Sequence, residues 1–480
     1  EFVMPTREDG LARRWGYVAV DDGVLYGSAA LPLNHEFGHL WNTLQRDGAW
    51  IPEADVPEDL KEAYAKIVER LPKPTLEGFK RSGINWAYTA NFPGWLPDHK
   101  PTPVNEKMMV SDALFAFEID SGKLLWNRGS KDVPAISITI GGGLIHFIEN
   151  NLDLTEREEA MKQREALIAD GIYEAHDEGK LKPEDHDVRR VLALDAKTGE
   201  KIWSKPVDVT GCGGNKLGTA YHDGRLLFFG HYSNHDQDPF VKGDLAWRRI
   251  TTMSSESGSF IWSKPLNYRR RPLIMGDTIY IEPRACSLLD GSIKEREHPI
   301  TGESVDWEFL RPGHSCGIVT ASPYSIFYRS FCAAIVNVEK DTGLQLFGGI
   351  RPGCWNNLIP GNGLVSMQES SAGCTCSYSL RTTVVLKHKK QKGPGEWSVF
   401  ISNAPNKPVS HLAVNFGAPG DMRDQAGALW FAYPRPNTRV GQGTFANYGI
   451  KFDLKENSGI QVLQRDFRGV TIEGTDRPWI

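Results

Sequence analysis

The sequence holds no run of 18 apolar residues, so it has no segment able to cross a bilayer as a helix. It also lacks a concentrated basic patch. Arg269-Arg270-Arg271 and His388-Lys389-Lys390 are short, and a net charge of −5 is spread thinly along the chain. Both runs read as solvated loop charge, and nucleic acid is not expected as a partner. Neither C-x-x-C nor C-x-x-C-H occurs, which leaves a zinc ribbon and c-type haem attachment unsupported. No secretory leader opens the chain at Glu1, and its last residues, Thr475 to Ile480, carry no tail signature. The expectation is a processed or partial piece of a longer precursor with further domains, so a missing leader says nothing about secretion.

What is present points to a turn-rich globular protein. Among 480 residues there are 48 glycines and 29 prolines, with 40% hydrophobic and 24% charged residues, enough for a packed core. Seven cysteines occur, five of them between Cys316 and Cys376. That clustering leads to an expectation of disulfides among Cys316, Cys354, Cys374 and Cys376, and of an oxidising, secreted or periplasmic setting. A soft-metal site with His314 is the alternative, since thiolate and imidazole suit copper or zinc.

The stretch His35-Glu36-Phe37-Gly38-His39 matches H-E-x-x-H, in which two histidines one helical turn apart hold zinc and the glutamate takes a proton from bound water. A peptidase needs a third ligand, for which Glu58 or Glu62 are the candidates, and a fold large enough to hold substrate. The motif sits in an insertion spanning only 33–107, and the longer metzincin pattern is absent. The preferred reading is a short helix capped by Asn34 that docks Phe37, Leu40 and Trp41, with His35 and His39 kept as metal candidates.

Internal repeats organise the rest. Residues 114–126 (LFAFEIDSGKLLW) and 191–203 (VLALDAKTGEKIW) both run strand, acidic turn, Gly, then Trp four residues on. Residues 251–262 and 336–347 repeat the second half with Gly258/Trp262 and Gly343/Phe347, and 286–295 is a weaker copy. Before each lies a second hairpin: 18–28, 138–150, 219–232, 272–284, 320–330 and 358–370. Pairing the two hairpins makes six four-stranded units, the last closing through 378–387. Such units arranged radially form a β-propeller, which protects sheet edges, and the recurring Trp is read as packing between neighbouring blades.

The motif Asp-x-x-x-Gly-x-x-x-Trp at Asp195 to Trp203, shortened at Asp120 to Trp126, resembles the quinoprotein alcohol dehydrogenase-like, or PQQ-like, propeller repeat over about residues 15–390. Stretches 349–378 and 411–436 are similar to segments of large secreted bacterial proteins that carry such propellers. The resemblance implies an all-β fold of seven or eight blades, six of them visible. The expected layout is a propeller over 15–395 with helical insertions at 33–107 and 151–186, followed by a β extension over 400–480.

Aligning the second strands by their apolar stretch places Ser28, Glu149, His231, Glu282 with Arg284, Arg329 and Glu369 at one register, with Arg351 at the entry to the sixth unit. Charge at the ends of apolar strands is expected if those ends line an axial pocket, and equally if they are ordinary solvated ends. Three functions fit. One is a binding or scaffolding module for a glycan, small anion or protein partner. Another is a quinoprotein dehydrogenase, for which the resemblance implies pyrroloquinoline quinone (PQQ) and calcium. That family holds its cofactor with adjacent cysteines, whereas this chain has Cys374-Thr375-Cys376. The third is a lyase of uronate glycans, with Arg284 or Arg329 neutralising the carboxylate and His231 or Tyr328 taking the α-proton.

Overall fold

The computed structural model describes residues 2–5, 13–30, the isolated positions 56, 58, 61 and 65, and 110–433 except 150–151, 153, 177–185, 233–237, 310, 312–315, 342, 354–355, 369–379, 381, 389–396, 401–406, 410 and 425. The chain divides into two compact units, one formed by 1–230 with 247–265, the other by 231–246 with 266–480.

The first unit contains three antiparallel four-stranded meanders. Sheet one is β1 (Arg14–Asp21), β2 (Val24–Ala30), β3 (Val110–Glu118) and β4 (Leu124–Pro134). Sheet two is β5 (Thr139–Gly141), β6 (Leu144–Glu149), β7 (Val188–Asp195) and β8 (Lys201–Asp208). Sheet three is β9 (Leu217–His222), β10 (Arg225–Gly230), β11 (Arg249–Ser254) and β12 (Phe260–Pro265). Each coincides with one of the expected hairpin pairs.

The recurring Trp forms the joint between consecutive sheets of this unit. Trp126 of β4 donates from Nε1 to the Ala196 carbonyl (2.9 Å), and Trp203 of β8 to the Ser255 carbonyl (2.9 Å). Each indole lies on the glycine of the next sheet's turn: a Cβ on Gly199 would meet Trp126 at 2.7 Å, and one on Gly258 would meet Trp203 at 3.0 Å. The glycine is needed twice over, because both also have positive φ (72° and 63°). Apolar layers complete the joints. Tyr26, Leu114 and Ala116 pack with Phe147, Leu192 and Leu194 between sheets one and two, and Ile148, Val191 and Ala193 with Leu226, Phe228 and Met253 between two and three.

In the second unit, sheet four is β13 (Leu273–Met275), β14 (Thr278–Ile281) and β15 (Arg284–Ser287), with a side hairpin of β16 (Glu295–Glu297) and β17 (Ser304–Asp306). Sheet five is β18 (Thr320–Ser322), β19 (Ser325–Ser330), β20 (Cys332–Asn337) and β21 (Leu344–Phe347); sheet six is β22 (Leu358–Gly361), β23 (Leu364–Met367) and β24 (Val384–Lys387). Trp307, Phe309 and Tyr280 pack against Ile326, Tyr328 and Leu344 between sheets four and five, and Phe327 and Ala333 against Leu358 and Met367 between five and six. Beyond them β25 (Ala413–Phe416), β26 (Met422–Arg423) and β27 (Leu429–Tyr433) form a small mixed sheet. Val399 exchanges two backbone hydrogen bonds with Leu344 (2.9 Å each), so this later chain covers the outer edge of sheet five.

The insertion expected over 151–186 contains helix α1 (Leu154–Ala169). The helix is polar nearly all round and buries only Ala160 and Arg164, so charged groups hold it. Arg190 donates to Glu156 (2.8 Å), Arg157 to the His186 carbonyl (2.8 Å), and Arg164 Nε lies 3.0 Å from Asp208. After the helix, Ile172 and Glu174 exchange backbone bonds with Ser263 (2.9 Å each) and cover the edge of β12.

The H-E-x-x-H stretch with His35 and His39, together with Glu62, lies outside the described residues. So do Glu369, His235, Asp236, His314, Trp355, Cys354, Cys374 and Cys376. Cys212, Cys286, Cys316 and Cys332 are buried and no disulfide joins any two of them, so the disulfide expectation finds no support among the described residues.

Candidate functional site

Counted from the first residue of each second strand, Ser28, Glu282 and Arg329 share one position, whereas Glu149 lies one residue further along and His231 two. The single register expected of them therefore does not hold, and Ser28, Glu149, Glu282 and Arg329 are buried rather than wet. Ser28 is fully buried and bonds Ser111 (2.8 Å). Glu149, at the end of β6, accepts from Ser130 and from Arg190 Nη1 (3.2 Å), in the network that anchors α1. These two belong to the first unit and serve its internal packing.

In the second unit the chemistry concentrates on Glu282. It follows β14 at 2% exposure, and its peptide to Pro283 is cis. Arg311 donates to Glu282 Oε2 from Nε (2.9 Å) and Nη2 (2.5 Å). Arg269 Nη1 lies 3.4 Å from Oε1 and Arg270 Nε 3.6 Å from Oε2. Arg270 and Arg311 also donate to the same Gly317 carbonyl (3.0 and 3.1 Å). Burial by itself would raise the Glu282 pKa; Arg311, Arg270 and Arg269 outweigh that and hold it at about 2. The converse shows on Arg270. Burial, then the neighbouring Arg311, brings it down to about 9 despite Glu282.

Tyr328 is fully buried and lies beneath Arg311, 5.5 Å from the guanidinium carbon to its ring centre. Burial raises its phenol further above its ordinary value. Arg329 and Arg351 are buried at 2% and 0% exposure, and Arg351 Nη1 donates to the Pro352 carbonyl (3.3 Å). Arg284 points elsewhere, to the Leu266 carbonyl (3.1 Å) and to Asp306 (3.5 Å). Glu282 and Tyr328 are thus brought together around Arg311, while Arg284 belongs to a separate ion pair. Glu58, a candidate metal ligand, is bonded to Lys61 at the surface (2.5 Å).

His231 follows β10, and burial, then the nearby Arg271, lowers its pKa to about 4. An unfolded histidine titrates near 6.5, so between about pH 6.5 and 4 the unfolded chain binds the extra proton. Stability falls across that window as pH falls, and below about 4 the loss is complete. Replacing His231→Asn is expected to flatten this limb. The check is urea unfolding of the second unit at pH 7 and pH 4.5, where the native protein loses about 2–3 kcal/mol more than the variant.

The arginines that surround Glu282 were not among the strand-end candidates. Arg269 and Arg270, read from the sequence as solvated loop charge, are instead buried in the segment that enters Glu282's own sheet, and Arg311 lies in the segment that enters sheet five. One signal in the sequence marks Arg311 alone among them. Arg271-Pro272, Arg311-Pro312 and Arg351-Pro352 each lie 40 residues from the next, one sheet period apart.

No protein-family model matches the sequence, and no curated protein matches it. Solved structures do. One is BamB from Moraxella catarrhalis, at 13% identity and a TM-score of 0.30, with 59% of this chain and 68% of that one covered. Another is a europium-containing methanol dehydrogenase, at 9% identity and a TM-score of 0.25, with 58% of this chain and 63% of that one covered. Both likenesses are distant, and the functional reading rests on the residues.

Calcium needs six to eight oxygen ligands. Among the described residues no three His, Cys, Asp or Glu side chains come together to hold a metal, and Glu282 is already engaged by guanidiniums. The described residues therefore do not fit a calcium–quinone centre.

Proposed function

We propose that the chain is a closed β-propeller that recognises an anionic ligand without transforming it, as a module of a larger extracytoplasmic protein. The observation that carries this is the company of Glu282. Arg269, Arg270 and Arg311 surround it, and Arg329 and Arg351 are buried in the same unit. Guanidiniums so concentrated suit carboxylate, sulfate or phosphate groups, whose oxygens match the paired donors of each fork. An acidic glycan and a small oxyanion both satisfy that chemistry.

The lyase reading is weakened by the same geometry. A proton acceptor must reach substrate, and Tyr328 is sealed beneath Arg311. The other candidate base, His231, holds its pKa near 4, which leaves it weakly basic.

The test is calorimetry of the purified chain with oligogalacturonate and with a neutral oligosaccharide of equal length. The acidic ligand is expected to bind, roughly tenfold more weakly as salt rises from 0.05 to 0.3 M, and to be recovered intact. Equal binding of the neutral ligand refutes anion recognition. An absorbance rise from unsaturated products, or a quinone band with bound calcium, refutes the non-catalytic reading.

A further inference from the structure

The joints of the first unit are one contact made twice. Trp126 of sheet one lies on Gly199 of sheet two and donates to the Ala196 carbonyl; Trp203 of sheet two lies on Gly258 of sheet three and donates to the Ser255 carbonyl. Sheet one carries the same receiving turn. The Ile119 N–H donates to the Gly23 carbonyl (3.0 Å), as Ala196 does to Gly143 and Ser255 to Gly224 (2.9 Å each). The Gly122 N–H donates back to Glu118, as Gly199 does to Asp195 and Gly258 to Ser254 (2.9 Å each), and Gly122 shares their positive φ, at 70°. Yet a Cβ on Gly122 would meet no atom within 4 Å among the described residues.

The wall beside this turn is exposed as well. Val20 pairs with Leu25 as Ile140 pairs with Ile145 one sheet later, and Leu25 and Ile145 pair in turn with Phe117 and Leu194. In sheet two the joint covers these positions: Ile138 is 5% exposed and Ile140 packs against the same cluster. Their counterparts Val18 and Val20 are 55% and 62% exposed, and Leu124, paired with Phe117, is 41% exposed. Phe2 and Met4 pack onto the cluster of Leu25, Phe115 and Phe117 without covering these three. Single apolar residues on a surface need no explanation, but three of them beside a bare turn glycine form a patch of the kind that marks a protein contact.

We infer that this face of sheet one is a docking surface for a β-sheet of a partner protein that presents an indole, seated on Gly122 with its N–H toward the Ile119 carbonyl. The occupant follows from continuity with the joints already built: sheet three receives the tryptophan of sheet two, sheet two receives that of sheet one, and the receiving turn of sheet one is next in line. An indole offers a flat apolar face to the glycine and a single N–H to a backbone carbonyl. Aliphatic residues on the strands beside it would cover Val18, Val20 and Leu124. The inference goes beyond anion recognition, and the docking sheet supplies the neighbour that a closed ring requires on this face.

The probe is a head-to-tail cyclised peptide of residues 111–133, the hairpin whose Trp126 fills the equivalent position on sheet two. It is dye-labelled and titrated into the full chain, with binding read by fluorescence anisotropy. Saturable binding of about one peptide per chain is expected. Trp126→Ala in the peptide should weaken it tenfold or more, and so should Val20→Arg in the chain. The melting midpoint of Val20→Arg should stay at the native value, because the face is open in the free protein. Absence of saturable binding overturns the proposal, as does binding that survives either substitution. If Val20→Arg lowers the midpoint by several degrees and the native chain takes no peptide, residues of this chain fill the face and partner docking fails. If the native chain sediments as a dimer that Val20→Arg dissociates, a second copy fills it and the proposal fails likewise. Oligogalacturonate calorimetry reads anion recognition separately, so either inference can fall while the other stands.

Discussion

Glu282→Gln is expected to be the most damaging single change in the second unit, at a cost of about 3–5 kcal/mol. The carboxylate is buried at 2% exposure and is the hub for Arg269, Arg270 and Arg311. Glutamine keeps the shape and one acceptor but removes the charge that Arg311 grips through two nitrogens and that Arg269 and Arg270 face. Breaking one side of a buried ion pair costs more than the pair contributes, because the desolvated charge left behind is uncompensated. Hydrogen exchange in β13 to β19 should read the loss as opening that is faster by two to three powers of ten, while β5 to β12 stay unchanged. The acid limb supplies an independent check. Because the native pKa is about 2, the carboxylate's contribution is whole above pH 4.5 and disappears between 4.5 and 2, and the variant should lack that limb. A further substitution of Arg311→Met in the Glu282→Gln background should recover part of the stability by removing the guanidinium closest to the lost carboxylate. If Glu282→Gln costs under 1 kcal/mol, the cluster is better hydrated than its burial indicates.

Much of the fold was legible because its parts obey short-range rules. The Trp four residues after a turn glycine is visible in the sequence, and Trp126 on Gly199 and Trp203 on Gly258 show why both are required: the indole needs a surface without a side chain. Alternation with a polar strand end located Ser28, Glu282 and Arg329 at one register, and missed it by one residue at Glu149. Their environment was not legible. A strand pattern says where a side chain leaves the sheet, and it says nothing of the loop that closes over it. The guanidiniums over Glu282 come from 13 residues before it and 29 after it, at Arg269 and Arg311. Arg311 recurs with Arg271 and Arg351 as an Arg-Pro dipeptide every 40 residues, but Arg269 and Arg270 carry no such signal. The insertion helix illustrates the same limit: its charge marked it as helical, but its anchors, Arg190 and Asp208, lie on strands that follow it.

Asp208→Asn is expected to have the largest effect in the first unit, and a local one. Asp208 ends β8 at 2% exposure, with Arg164 Nε 3.0 Å away and the Thr210 amide donating to Oδ1 (2.9 Å). His186 lies 3.7 Å off on the same carboxylate. Arg164 in turn stacks on Tyr173, whose ring has Arg249 on it as well, at 5.0 and 4.0 Å from the two guanidinium carbons. Helix α1 buries almost nothing apolar, so this chain of contacts does the work that a hydrophobic face does elsewhere. An asparagine keeps the Thr210 bond and removes the charge opposite Arg164, at about 3 kcal/mol by the argument used for Glu282. Because the hold is electrostatic and confined to one insertion, the loss should open residues 154–176 without opening the sheets. Amide exchange there should quicken by about a hundredfold, and rising salt should speed it in the native protein too, through its partly exposed Glu156–Arg190 pair. Uniform acceleration through β5 to β12 would show instead that the helix and the sheets unfold as one body. In that case Asp208 secures the unit as a whole and the insertion is no separate element.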